Sequence, residues 1–261
     1  MHAHARVMVV AIALLTAVSA RSENESPHVP PEPPTKTMPE MPYREMTKMM
    51  EMDDTAPIGM VLVDRLEWRG AAGAGAWDAH AWYGGDYNKL WFKTEGERAR
   101  GRTEDARAEL LWDRIIARWW SLQLGARQDF GAGPPRKWAA AGVQGLAPQW
   151  FAIEATLYVG DGGRTAARFQ ALYELLFTQR LILQPELEVN LYGKDDLQRG
   201  LGSGLSDMEF GLRLRYEIRR EFAPYIGVTW NRAFGATADF RRTDGEGIDA
   251  ARAVAGVRLW F

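Results

Sequence analysis

The 261-residue chain contains no cysteine. That absence excludes disulfides, zinc ribbons and thiol catalysis. A basic excess is also missing: the formal net charge is −2, so no positive field argues for nucleic acid as a partner. Long hydrophobic runs are absent too. Beyond the first twenty residues, no stretch approaches the roughly 18 consecutive apolar residues of a spanning helix. A mature chain of this kind crosses a membrane only as strands, because hydrocarbon cannot satisfy an open backbone.

What is present falls into three zones. Residues 1–20 read as an export signal. Arg6 gives the positive start, Val7 to Val18 form an apolar run interrupted by Thr16, and Val18-Ser19-Ala20 supplies small residues for cleavage. The run is too short for a transmembrane helix of about 20 residues. Residues 21–60 hold eight of the 13 prolines and a single glycine, Gly59. The run from Pro27 to Pro34 fixes φ repeatedly and lacks amide donors, so it forms neither helix nor sheet. With few large apolar residues other than methionine, this zone is expected to be a disordered tail.

From about residue 61 to 261, glycine becomes common and apolar residues alternate with polar ones. Met208, Phe210, Leu212, Leu214, Tyr216 and Ile218 alternate with Asp207, Glu209, Gly211, Arg213, Arg215 and Glu217. A strand sends successive side chains to opposite faces, so this segment has one oily and one charged face. About twelve segments share the pattern: 61–69, 76–83, 88–95, 104–113, 118–129, 137–146, 150–160, 163–176, 180–193, 205–219, 222–233 and 249–261. Pro185 falls inside one of them and marks a bulge. Tight connections alternate with longer ones at 194–204 and 234–248, as in an outer-membrane barrel. A soluble sandwich uses the same alternation with the apolar face inside. The crowded charges of the polar face favour the membrane version, as do tryptophans near strand ends (Trp68, Trp77, Trp112, Trp119, Trp120, Trp150) and a last strand ending in Phe261. The fold expected is all-β: a transmembrane antiparallel β-barrel of about 12 strands, embedded in outer-membrane lipid, behind a disordered N-terminal tail.

The sharpest chemical signal lies in the tail. Met38, Met41, Met46, Met49, Met50, Met52 and Met60 stand within 23 residues, whereas residues 61–261 contain only Met208. Thioether sulfur is a soft ligand that selects copper, Cu(I) above all, and it needs no deprotonation. Met38-x-x-Met41 and Met46-x-x-Met49 bring pairs of sulfurs within reach of one ion. Met50-x-Met52 with Asp53 and Asp54 adds mixed donors, and His28 offers an imidazole. The competing reading is an amphipathic helix over 43–52 whose methionines pack on a protein partner. Some ten residues between Pro42 and Asp53 are too few for a stable isolated helix.

The segments Val61-Leu62-Val63-Asp64-Arg65-Leu66-Glu67-Trp68, Ala76-Trp77-Asp78-Ala79-His80-Ala81-Trp82-Tyr83-Gly84-Gly85-Asp86 and Asn88-Lys89-Leu90-Trp91-Phe92-Lys93-Thr94-Glu95-Gly96-Glu97 follow the Met-rich tail. That series resembles the copper resistance protein B family of bacterial outer membranes. The Trp-Asp-x-His-x-Trp and Lys-Thr-Glu-Gly-Glu segments are its most specific parts. The resemblance implies copper tolerance by binding or export at the outer membrane, with periplasmic copper resistance proteins as partners. This tail is short and holds one histidine, whereas richer members carry more methionine and histidine repeats.

Within the barrel, alternation turns Asp78, His80 and Trp82 into the lumen, with Glu67 on the first strand and Glu95 on the third. His80 is the only histidine after residue 60, and beside carboxylates it is a candidate copper ligand. The alternative is a hydrogen-bond network that braces the barrel. Copper is the one ligand these residues imply, and the metal-site candidates are Met38, Met41, Met46, Met49, Met50, Met52, His80, Asp78 and Glu67. No catalytic residue is assigned: His80 has no serine on its own or adjacent expected strands, and no G-x-S-x-G elbow exists. A general diffusion porin whose tail contacts a protein partner is the rival function.

Overall fold

A strand with one oily and one charged face is stable only when each face meets its own solvent, and here twelve such strands close on themselves. The computed structural model describes residues 56–70, 74–99, 101–131 and 133–261, together with Glu45. The expected signal at 1–20 and the tail ligands Met38, Met41, Met46, Met49, Met50 and Met52, with His28, lie outside the described residues.

The elements are β1 (Ile58–Arg69), β2 (Gly75–Gly84), β3 (Asn88–Ala99), β4 (Arg102–Ala117), β5 (Trp120–Gly131), β6 (Arg136–Leu146), β7 (Ala152–Gly160), β8 (Arg164–Leu172), β9 (Leu175–Leu176), β10 (Leu181–Tyr192), β11 (Gly204–Tyr216), β12 (Phe222–Ala233), α1 (Gly235–Thr243) and β13 (Asp249–Trp260). Each strand pairs antiparallel with its neighbours, and β13 returns to β1 with Leu62 opposite Trp260 and Arg69 opposite Val254. The sheet is therefore closed and has no free edge. The short β9 pairs with the same strand as β8, so the two share one position and the barrel has twelve. All twelve expected segments are strands.

Pro185 explains the break between β8 and β9. It cannot donate to the ladder, and opposite it Tyr173 and Glu174 interrupt the pairing, with Tyr173 N–H donating to the Pro185 carbonyl. A second irregularity lies in β1. The register jumps from Val63–Ala79 to Arg65–Asp78, leaving one extra residue. This bulge re-aims the local side chains, as bulges do.

The outward face carries a broad apolar band: Leu157 is 65% exposed, Ile226 64% and Val159 59%. A water-soluble monomer tolerates apolar patches of a few hundred Å² at most. A continuous belt of this kind finds its solvent in hydrocarbon instead, which separates the membrane barrel from the soluble sandwich. At the end that carries both barrel termini, Trp119 and Trp150 stack edge to face with ring centres 5.8 Å apart. Gln149 and Trp150 both adopt positive φ in the β6–β7 turn, which presents the Trp150 ring at 68% exposure. Trp112 lies further inside β4 than expected, because that strand continues to Ala117.

The two long connections, 193–203 and 234–248, both lie at the end opposite the termini, as expected, although the other connections at that end are short. The 234–248 stretch, expected to be an irregular loop, contains α1. Isolated, nine residues would not hold a helix. Here the buried Thr237 hydroxyl accepts from Gly202 N–H at 2.8 Å and meets Ser206 Oγ at 2.9 Å, so packing supplies what length does not. The 193–203 loop is tied across to β6 by Arg136, whose guanidinium donates to both Asp196 oxygens at 2.8 and 3.0 Å. Those bonds hold the Asp196 carboxyl below the usual carboxylate range.

Candidate functional site

On β1 Glu67 and Arg69 follow one inward alternation and Leu62 lies inward on the other side of the bulge, and all three are buried. The bulge adds a departure that period-2 reading misses: Asp64 and Arg65, consecutive in sequence, both reach the lumen. Arg65 is 5% exposed and Asp64 accepts from Arg258 Nε at 2.7 Å. Two adjacent charges inside an otherwise alternating strand were the available signal.

The inward charges form a lattice across the lumen. Arg65 donates to Asp78 Oδ2 at 2.7 Å and to both oxygens of Glu186 at 3.2 Å. Arg213 joins Glu186 and Glu67, each at 2.8 Å. Arg69 donates to Glu67 at 2.8 Å and to Glu209 at 3.0 Å, and it also pairs with Glu97. Arg168 bridges Glu188 at 2.7 Å and Glu95 at 2.8 Å, and Arg107 pairs with Glu95 as well. Lys93 donates to Glu154 at 2.7 Å. Several of these bonds tie strands that are not neighbours: β1 to β10, β3 to β7, and β3 to β8. The middle of the lumen is therefore bridged from wall to wall. Such pairs are costly to desolvate and costlier to break, about 3–5 kcal/mol when one partner is removed.

Beside the lattice, the β4–β8 wall carries an apolar inward cluster of Leu111, Trp138, Ala140, Tyr158 and Ala166. Tyr225 adds a brace of another kind: its ring lies over Gly256, where any side chain would collide with the hydroxyl, and that hydroxyl donates to Glu67 at 3.2 Å.

On the terminus side of the lattice lies a vestibule of about 580 Å³, lined among others by Asp64, His80, Trp91, Asp113, Gln144 and Trp119. His80 and Trp91 stand with ring centres 5.3 Å apart, and no hydrogen bond reaches the His80 ring among the described residues. The lumen candidates from the sequence thus share the interior but not one site. In the β1–β2 register His80 is level with Leu62, Asp78 with Arg65, and Glu67 with Ala76. Glu67 and Asp78 are both engaged by guanidinium groups, as is Glu95. Among the described residues no group of three or more histidine, aspartate or glutamate side chains converges to hold a metal ion. The guanidinium partners (Arg65, Arg107, Arg168 and Arg213) had a sequence signal in their inward parity, but nothing in the sequence said which carboxylate each would meet.

With this geometry in view, comparison with known proteins is informative. Residues 57–261 match the family described as "Copper resistance protein B precursor (CopB)". A copper resistance protein B homolog of Pseudomonas syringae pv. tomato is 52% identical over 213 residues, covering 81% of this chain and 72% of the relative. Copper resistance protein B of Escherichia coli is 50% identical over 210 residues, covering 80% and 71%. Among solved structures, the NanC porin superposes with a TM-score of 0.51 at 11% identity, over 76% of this chain and 98% of that one. That likeness shows the barrel fold. The match over the whole barrel, at half identity to two copper resistance proteins, places the chain in the copper resistance protein B family.

Proposed function

We propose that this protein captures copper at the periplasmic face of the outer membrane through its methionine tail, with the barrel as anchor. The observation that carries the reading is the segregation of methionine: seven within 23 residues of the tail and one in the 201 residues after it. Met38, Met41, Met46, Met49, Met50 and Met52 supply soft thioether donors, which suit Cu(I). Copper is cargo here, either withheld from the periplasm or handed to periplasmic copper resistance proteins. Family membership supports the copper assignment.

Within the barrel, His80 is the candidate whose ring is unengaged and faces the vestibule, so it is the residue placed to meet copper entering from the terminus side. Glu67 and Asp78 act in this reading as braces, since their oxygens are held by Arg65, Arg69 and Arg213. The bridged lumen weighs against the diffusion-porin alternative, because free passage requires an open bore. It also implies that export through the barrel would have to part those ion pairs. A capture role needs no catalytic group, and His80 has no hydrogen-bonded nucleophile among the described residues.

The test is Cu(I) titration of the folded protein with and without residues 35–60. Loss of tight binding on deletion, with the barrel intact, is the expected result. Full binding in the deleted form would move the site to the vestibule around His80. Absence of binding in both forms would overturn the proposal and leave a membrane channel.

A further inference from the structure

A buried charge in a folded protein is normally paired or holds a metal ion. Most inward carboxylates of this barrel obey the first option: Asp64 has Arg258, Asp78 has Arg65, and Glu154 has Lys93. Asp113 does not. It is 3% exposed and points inward from β4, yet among the described residues no lysine or arginine nitrogen lies within 4.0 Å of it. Its Oδ2 accepts three hydrogen bonds, all from neutral groups: Ser121 Oγ at 2.7 Å, Gln144 Nε2 at 3.0 Å and Gln123 Nε2 at 3.1 Å. No hydrogen bond reaches its Oδ1 among the described residues. Asp113, Ser121 and Gln144 all line the vestibule.

The strand register sharpens the anomaly. Lys89 lies directly opposite Asp113 on β3. An ammonium there is the natural partner, but it sits 5.0 Å above the Trp82 ring instead. A carboxylate and an amine on facing positions are thus both directed elsewhere, with the vestibule beside them.

Three neutral donors on one oxygen orient the carboxylate without cancelling its charge. Asp113 lines the vestibule, so its charge acts on the cavity. Gln144 adds a second acceptor there, since its amide nitrogen is committed to Asp113 and its carbonyl oxygen is not. Oxygen donors completed by water suit hard and borderline divalent cations, and no sulfur is present to select a soft monovalent one.

We propose that Asp113, assisted by Gln144, anchors a second cation site in the vestibule that takes a hydrated divalent metal ion through Asp113 Oδ1. This site goes beyond the methionine tail and does not depend on it. Its donors are hard where the methionines of the tail are soft, so the two differ in the ions they prefer.

The experiment uses the full chain in detergent micelles, titrated with Mn(II) and followed by electron paramagnetic resonance of the free ion. Thioethers do not hold Mn(II), and whatever Asp53 and Asp54 of the tail bind is common to every variant, so the difference between variants reports the vestibule. The wild type is expected to show a site that depends on Asp113. Asp113→Asn, which keeps the size and an acceptor, should weaken it at least about ten-fold. Lys89→Met should strengthen it roughly two- to five-fold by removing a nearby positive charge. Absence of Mn(II) binding in the wild type, or equal affinity in Asp113→Asn, overturns the site and makes Asp113 a neutral brace. Should Asp113→Asn fail to fold, Lys89→Met decides, since an affinity equal to wild type overturns the proposal.

Discussion

The bridged waist of the lumen and the Asp113 side of the vestibule below it hold their charges in opposite ways. At the waist, Glu186 faces two guanidinium groups, Arg65 at 3.2 Å and Arg213 at 2.8 Å. In the vestibule, Asp113 faces only neutral donors and the His80 ring forms no hydrogen bond among the described residues. The difference teaches where to look for function. Neutralised charges hold walls together, whereas uncompensated ones remain available for a ligand.

The largest effect expected from breaking this contrast is at the waist. Glu186→Leu leaves Arg65 and Arg213 without their shared carboxylate, two buried cations of which the structure exposes no more than 6% of either side chain. The loss should be about 3–5 kcal/mol in urea unfolding of the barrel in nanodiscs. A stability unchanged within error would mean that Asp78 and Glu67 compensate those arginines without Glu186.

In the vestibule the same measurement should barely move. His80→Ala removes a ring with no hydrogen bond to lose among the described residues, so the change should stay within about 0.5 kcal/mol. A loss of several kcal/mol would make His80 a brace like Glu67. The pair of variants therefore reads out the contrast directly: large at the waist, small below it.

The smallest effect concerns the loop at the opposite end. Arg136 lowers the Asp196 carboxyl below its ordinary value, so the sign is that of a depressed acid. The tie is fully present above the unfolded aspartate pKa of about 3.9 and is lost as pH falls through the lowered folded value. Protease cleavage within 193–203 should stay slow at pH 5 and rise only under stronger acid. Arg136→Gln should make cleavage faster at neutral pH.

Much of the molecule was legible before any coordinates. Met208 to Ile218 against Asp207 to Glu217 declared a strand with a wet and a dry face, and repetition of that pattern gave twelve strands. Pro185 announced an interruption of pairing, because a missing amide can be read from the residue alone, but the register runs on across it and the expected bulge is not there. Two features escaped: α1, because its stability comes from Thr237 packing on Gly202 and Ser206 rather than from its nine residues, and Asp64, because a bulge breaks the parity on which the reading rests.

The sequence by itself determined which faces meet lipid and lumen, and it set apart the methionines, since side-chain parity and composition are local properties. Only the tertiary structure decided which charges cancel. Arg65 meets Glu186 from 121 positions away, and Glu67 meets Arg213 from 146. Partners so distant in sequence are chosen by strand register and barrel closure. A local choice, Lys89 turning to Trp82, left Asp113 to neutral donors.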